Sequence, residues 1–392
     1  MPNNFASRLD GISGSAIREI FKLLANPQII SFAGGNPAPE SFPKEKLAEI
    51  SSRVLLENGE RILQYGPTRG YGPLMDEVLD IAKKQGIKAD LSNIIITSGS
   101  SQGIELMAKT FINKGDVILV ESPTFIGAIQ TFKTYEANLV AVKTDEEGIL
   151  LDDLEAKIKK HSPKFLYAIP TFQNPSGVTL AEDRREKLVK ICSENSVKIL
   201  EDDPYGELRF SGEKVSPLKS FDKDDTVIRL VSFSKIISPG IRVGAAIGDN
   251  EVISKFELFK QGMDVHTTNL AQVMVYEYLK SGDLDGHIKE IIRSYSEKKA
   301  LMLSLIKSEF PSGIKISPCD GGLFIWLTLP SGVDTLNIFK KAVKKNVAFV
   351  PGTHFFAQGG NNNTLRLNFS MVSKEKIEEG MKILGKVIKD NI

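Results

Sequence analysis

The chain has 392 residues, enough for two or three domains and a sizeable core. Fifty lysines and arginines against 49 aspartates and glutamates leave a formal charge of +1, which argues against a surface built for nucleic-acid or anionic-lipid phosphates. Two cysteines without C-x-x-C spacing, Cys192 and Cys319, and four isolated histidines argue against a disulfide framework and a histidine metal site, so a reducing, cytoplasmic setting is expected.

Residues 1–10 hold no apolar run behind a basic start, so no secretory signal is expected. The longest uncharged stretch, residues 165–181, is broken by Pro170, Asn174, Pro175 and Gly177 and falls short of the roughly 20 apolar residues of a membrane span. A short helix is expected over residues 15–24. The Gly/Pro-rich segment that follows, residues 31–43, has the character of an arm lying along another surface. From residue 94 to 248, apolar runs at 94–97, 117–120, 139–142, 165–169, 198–200, 227–233 and 243–248 alternate with helical patterns at 102–113, 151–160 and 181–195. That alternation predicts an α/β fold with a mostly parallel, seven-stranded sheet whose ligands gather at the carboxyl ends of the strands. A helical region over 270–310 is followed by strand patterns at 322–329 and 364–370, with helical patterns at 335–345 and 374–389. These predict a smaller α+β domain. The expected division is an N-terminal helix and arm over 1–45, a large domain over 46–280 and a small domain over 281–392.

Four segments could carry chemistry, and each follows an expected strand. Lys235, in Ser232-Phe233-Ser234-Lys235, stands at the end of an apolar strand, where partial desolvation lowers an amine's pKa and suits it to imine formation. Arg242 lies seven residues on; arginines number only twelve, and one among small residues can grip a phosphate through two N–H groups. Residues 97–103, TSGSSQG, open a helix and offer backbone N–H groups to an anion, although an ordinary helix cap reads the same way. Glu201, Asp202 and Asp203, with Tyr205, could form an acidic turn, contribute to a metal site or place one carboxylate against a protonated ring nitrogen. Asn174, before Pro175, is pushed to an extended conformation that leaves its amide free to face a ligand. Together they describe the needs of pyridoxal phosphate: an imine-forming lysine, a carboxylate at the pyridine nitrogen, donors at the ring hydroxyl and a phosphate cup.

With TSGSSQG, NPSG, EDDPYGELRF, SFSK and PGIRVG in this order, the chain resembles the fold-type I pyridoxal-phosphate aminotransferases of class I/II. Within them it is most similar to the 2-aminoadipate and kynurenine type of broad specificity. The resemblance extends from SFAGG at residue 31 to RLNFS at residue 366. It implies that Lys235 carries pyridoxal 5′-phosphate as an imine and shuttles the substrate proton. It further implies that Asp202 faces the pyridine nitrogen, Asn174 and Tyr205 the ring hydroxyl, and Ser100, Ser101, Ser232, Ser234 and Arg242 the phosphate. Phe125 falls where this subgroup usually stacks a tyrosine on the ring. Arg366, on the expected polar face of its strand, would take the substrate α-carboxylate beside Gly35 and Asn174, and Arg18 would reach a distal carboxylate.

The implied reaction is a ping-pong transfer from an aminoadipate, aromatic or branched-chain L-amino acid to a 2-oxo acid, 2-oxoglutarate first among candidates. The resemblance also implies a homodimer in which Tyr65 reaches the partner subunit's phosphate. No nucleic-acid or membrane partner and no metal is expected. The rival readings are a pyridoxal-phosphate C–S β-lyase and a ligand-binding homologue without catalysis.

Overall fold

The structure is a computed structural model describing residues 5, 6, 8 and 26–392. The helix expected over residues 15–24, with Arg18, lies outside the described residues. The Gly/Pro-rich segment begins as a two-residue strand, β1 (Ile30–Ser31). All seven expected apolar runs are strands: β2 (Ile94–Thr97), β3 (Val117–Ser122), β4 (Asn138–Asp145), then β6 (Phe165–Ala168), β7 (Lys198–Asp203), β8 (Val227–Ser232) and β9 (Gly244–Ile247). A two-residue strand not foreseen from sequence, β5 (Gly148–Ile149), folds back on β4. β-branched and leucine-rich runs of this length fit a pleated surface covered on both faces, and β2 and β6 are buried at every position.

These strands form one sheet in the order β2-β9-β8-β7-β6-β3-β4-β5. The pairs from β8 through β7, β6 and β3 to β4 are parallel. β9 is antiparallel to both its neighbours, β8 and β2, so β2 runs with the parallel set. The carboxyl ends of β2, β3, β6, β7 and β8 therefore share one edge. The reversed β9 brings its amino end, and Arg242 just before it, to that same edge.

Helices cover the sheet or lead away from it: α1 (Lys44–Ile62), α2 (Gly72–Lys84), α3 (Ser100–Phe111), α4 (Ile126–Thr134), α5 (Leu151–His161), α6 (Glu182–Glu194), α7 (Asn250–Met263), α8 (Asn269–Lys280) and the 26-residue α9 (Leu284–Glu309). The close approach of α3 to the sheet needs Gly103, where a Cβ would stand 2.4 Å from a Leu230 methyl.

The C-terminal part builds a second, antiparallel sheet from β10 (Lys315–Ile316), β11 (Phe324–Thr328), β13 (Val350–Pro351) and β14 (Thr364–Asn368), in the order β10-β11-β14-β13. Helix α10 (Thr335–Val343) packs on β13, and α11 (Lys374–Lys389) packs on α9 and α10. The surface along which the N-terminal segment lies is this one. β1 pairs in parallel with β12 (Val347–Ala348), and Phe32 donates to Ala348 O while its carbonyl accepts from Asn368 N, both at 2.8 Å. The segment therefore brings Gly34 and Gly35 beside the edge of the large sheet. Among the described residues no helix is long and apolar enough to cross a membrane.

Candidate active site

A cavity of about 370 Å³, an ordinary size for a small-molecule site, opens at this shared edge. Twelve of the fourteen residues singled out from sequence line it: Gly35, Ser100, Ser101, Phe125, Asn174, Asp202, Tyr205, Ser232, Ser234, Lys235, Arg242 and Arg366. Tyr65 does not; it is 80% exposed, its ring edge-on to His266 at 5.9 Å. Arg18 lies outside the described residues.

The acids of residues 201–203 sit inside a strand, not in a turn after it, because β7 continues through Asp203. A strand's two-residue period then sends them to opposite faces. Glu201 and Asp203 turn together to Arg229, which donates 2.7 Å bonds to each. Asp202 faces the other way, into the cavity. Its Oδ2 accepts a 2.8 Å bond from the buried Tyr167 hydroxyl, whereas Oδ1 is buried with no partner among the described residues. Burial pushes the Asp202 carboxyl up to about 7, against the Tyr167 bond that holds it down, with neighbouring Asp203 adding to the rise. Tyr167 was missed from sequence. A tyrosine in an otherwise apolar strand, whose hydroxyl needs a buried partner, was the available signal.

Lys235 extends from the end of β8, and its Nζ donates to Gly35 O at 3.0 Å. Burial, then the charges of Arg242 and Arg366, lower its amine to about 8. Asn174 Nδ2 lies 3.3 Å from the Tyr205 hydroxyl, so these two polar groups face the cavity as a pair. Arg242 adopts a left-handed backbone conformation that turns its guanidinium to Ser98 O at 2.8 Å. Gly99 between Ser98 and Ser100 has φ +82°, and a Cβ there would come within 2.6 Å of Arg242 Nη2. Ser100 and Ser101, at the start of α3, lie beside that guanidinium on the cavity wall. Oriented N–H groups, hydroxyls and an arginine at a helix N-terminus make an anion seat.

Arg366 corrects the expectation of a polar strand face. All of β14 is buried, and the Arg366 guanidinium is sandwiched between Phe324 and Phe355, at 4.1 and 5.0 Å from the ring centroids. Nη1 donates to Asn174 Oδ1 and Nη2 to Ala33 O, both at 2.7 Å, while Nε has no partner among the described residues. Burial lowers the guanidinium to about 10. A planar cation packed against aromatic rings, with its two Nη donors on the cavity-lining Asn174 and Ala33, suits a carboxylate. Phe355 was not foreseen from sequence, since it sits in a one-turn helical segment, Gly352–Phe355, that carries no periodicity. Ile126, Gln130 and Val350 also line the wall.

The arrangement can bind a phosphate at one end and a carboxylate at the other, with an amine, a carboxylate and an amide–phenol pair between them. A family model described as aminotransferase class I and II matches residues 27–384. The chain is 43% identical to an aromatic-amino-acid aminotransferase of Thermococcus litoralis, over 99% of this chain and 94% of that protein. It superposes with a TM-score of 0.95 and 40% identity on a Pyrococcus horikoshii kynurenine aminotransferase solved with PMP, covering 99% of this chain and 97% of that one. An α-aminoadipate aminotransferase from Thermus thermophilus, complexed with N-(5'-phosphopyridoxyl)-L-leucine, is similar at a TM-score of 0.92 and 40% identity, with coverage of 98% and 97%.

Proposed function

The chain belongs to the class I and II aminotransferases, and from that membership we propose that it uses pyridoxal 5′-phosphate to move the amino group of a large L-amino acid to 2-oxoglutarate. The observation that carries the cofactor reading is the buried Asp202 Oδ1, without a hydrogen-bond partner among the described residues, in the same cavity as an Arg242 guanidinium that a Cβ at Gly99 would crowd. When bound, the cofactor supplies a carbonyl for amino groups and a protonated ring that draws electrons from the substrate Cα.

Each residue then has a task. Asp202 Oδ1 accepts the ring N–H, and its charge, disfavoured by burial alone, gains a cationic partner. Asn174 and Tyr205 donate to the ring hydroxyl. Phe125 covers a ring face without the hydroxyl of a tyrosine. Ser100, Ser101, Ser232, Ser234 and Arg242 hold the phosphate. The Lys235 amine would hold the cofactor through its carbonyl carbon and would carry the proton at the substrate Cα. Arg366, beside the Gly35 backbone, takes the α-carboxylate by exchanging part of its contact with Asn174 and Ala33 O. One Arg366 and one Lys235 in one cavity cannot serve both substrates together, which supports alternating, ping-pong binding.

The apolar wall of Ile126, Val350 and Phe355 favours an aromatic or branched-chain donor, and Arg18 is the residue by which 2-aminoadipate would be held. Exposed Leu63, Tyr65 and Val265 support a homodimer in which Tyr65 completes the partner's site. Two free thiols, Cys192 and Cys319, agree with a cytoplasmic setting.

Single-turnover absorbance changes with a panel of L-amino acids test this reading. Aromatic donors are expected to give the fastest bleaching of the cofactor band, and Lys235→Ala to abolish turnover. Normal turnover by the Ala variant, or release of pyruvate and ammonia with no oxo acid required, would refute it.

A further inference from the structure

Lys260, on α7, is fully buried, an expensive place for a charge unless its bonds are needed. Its Nζ lies 2.7 Å from Gln102 Oε1, 2.9 Å from both oxygens of Asp264 and 3.0 Å from Thr267 Oγ1. The same acceptors hold the turn of residues 98–102. Ser98 N donates to Gln102 Oε1, Ser98 Oγ to Asp264 Oδ2 and Gln102 Nε2 to Asp264 Oδ2, each at 2.8 Å. Ser98 O in turn receives Arg242 Nη2. The ammonium thus joins the Ser98 N–H and the Asp264 carboxylate in fixing which end of the Gln102 amide faces the Ser98 N–H. An apolar residue of equal length would remove one of these three constraints and would direct nothing at Asp264.

We propose that Lys260 is a positioning residue for the cofactor phosphate: by fixing Gln102 and Asp264 it sets the turn of residues 98–102 and, through Ser98 O, the guanidinium of Arg242. It touches neither cofactor nor substrate. The inference rests on the pyridoxal-phosphate reading above, and it assigns Lys260 to one end of that ligand only.

The discriminating measurement compares ligands with and without the phosphate. Lys260→Met, purified as holoenzyme, is converted to the pyridoxamine phosphate form, where only non-covalent contacts retain the cofactor. Its dissociation constant and rate of cofactor loss are then measured beside those of wild type, together with the binding of pyridoxamine, which lacks only the phosphate. Loss of a correctly aimed, charge-assisted contact is expected to weaken pyridoxamine phosphate about tenfold or more, with pyridoxamine binding within twofold of wild type. Equal weakening of both ligands, or no change in either, would overturn the proposal. If Lys260→Met does not fold, Gln102→Met decides by the same comparison, since it cuts the bond to Ser98 N and leaves the Lys260–Asp264 pair. A wild-type protein that binds neither phosphorylated ligand would overturn the cofactor reading itself, an outcome distinct from indifference of the variants.

Discussion

An amine attacks a carbonyl only when it is neutral, so the state of Lys235 governs how fast the protein captures its cofactor. Burial and two nearby arginines lower this lysine to about 8, and the sign follows directly. Below that pH the side chain is an ammonium with no free electron pair; above it the pair is available. The rate of pyridoxal phosphate capture by cofactor-free protein, followed by imine absorbance, is expected to climb tenfold per pH unit below 8 and level off above it. A climb continuing to pH 10 would mean an ordinary solvated lysine. Arg366 shows the opposite relation between residue type and surroundings. Alternation with Leu365 and Leu367 reads as a polar face in the sequence, but aromatic rings cover that face too, and π-stacking replaces solvent around the cation.

Strand β7 carries three acids at its end, and its pleat divides their work: Asp202 toward the cavity, Glu201 and Asp203 toward Arg229. Removing Arg229 leaves two carboxylates without their cation in a buried place. Arg229→Ala is therefore expected to lose about 3–5 kcal/mol of stability in urea unfolding. Asp202 lies on the opposite face but feels the Asp203 charge, so with that charge unneutralised the cofactor absorbance of the folded variant should shift; an unchanged band would show that the two faces are uncoupled. The same strand marks how far the sequence could be read. The seven main strands were legible because an apolar run differs in composition from everything around it, most clearly where it is buried on both faces, as in β2 and β6. The strand pattern of β7 stops at residue 200 in the sequence because acids are poor strand formers, and the arginine that admits them lies 26 residues from Asp203 and 28 from Glu201. Two-residue strands such as β5, β12 and β13 are too short to show any period. The site was legible where motifs follow strands and illegible at Tyr167, which bonds Asp202, and at Phe355 on the cavity wall, whose roles depend on partners distant in the chain.

At the scale of the whole molecule, the cavity's own chain supplies the lysine, the acid and the anchoring arginines, whereas Tyr65 stands outside it, 80% exposed. A tyrosine so placed contributes to chemistry only if a second copy brings its cavity to it, as a two-fold dimer would. Complementation between two defective chains tests that geometry. Tyr65→Ala and Lys235→Ala should each be impaired alone, the second severely. In a mixed dimer one cavity combines Lys235 of the first chain with Tyr65 of the second and has neither lesion, while the other cavity carries both. Random reassortment makes half the dimers mixed, so activity should recover to about one quarter of wild type. Recovery requires that Tyr65 act across the boundary: if it served its own chain's cavity, every cavity in the mixture would keep one lesion. Activity no higher than the average of the two parents after verified subunit exchange would refute the shared site. Sedimentation of the wild type as an active monomer would refute the dimer.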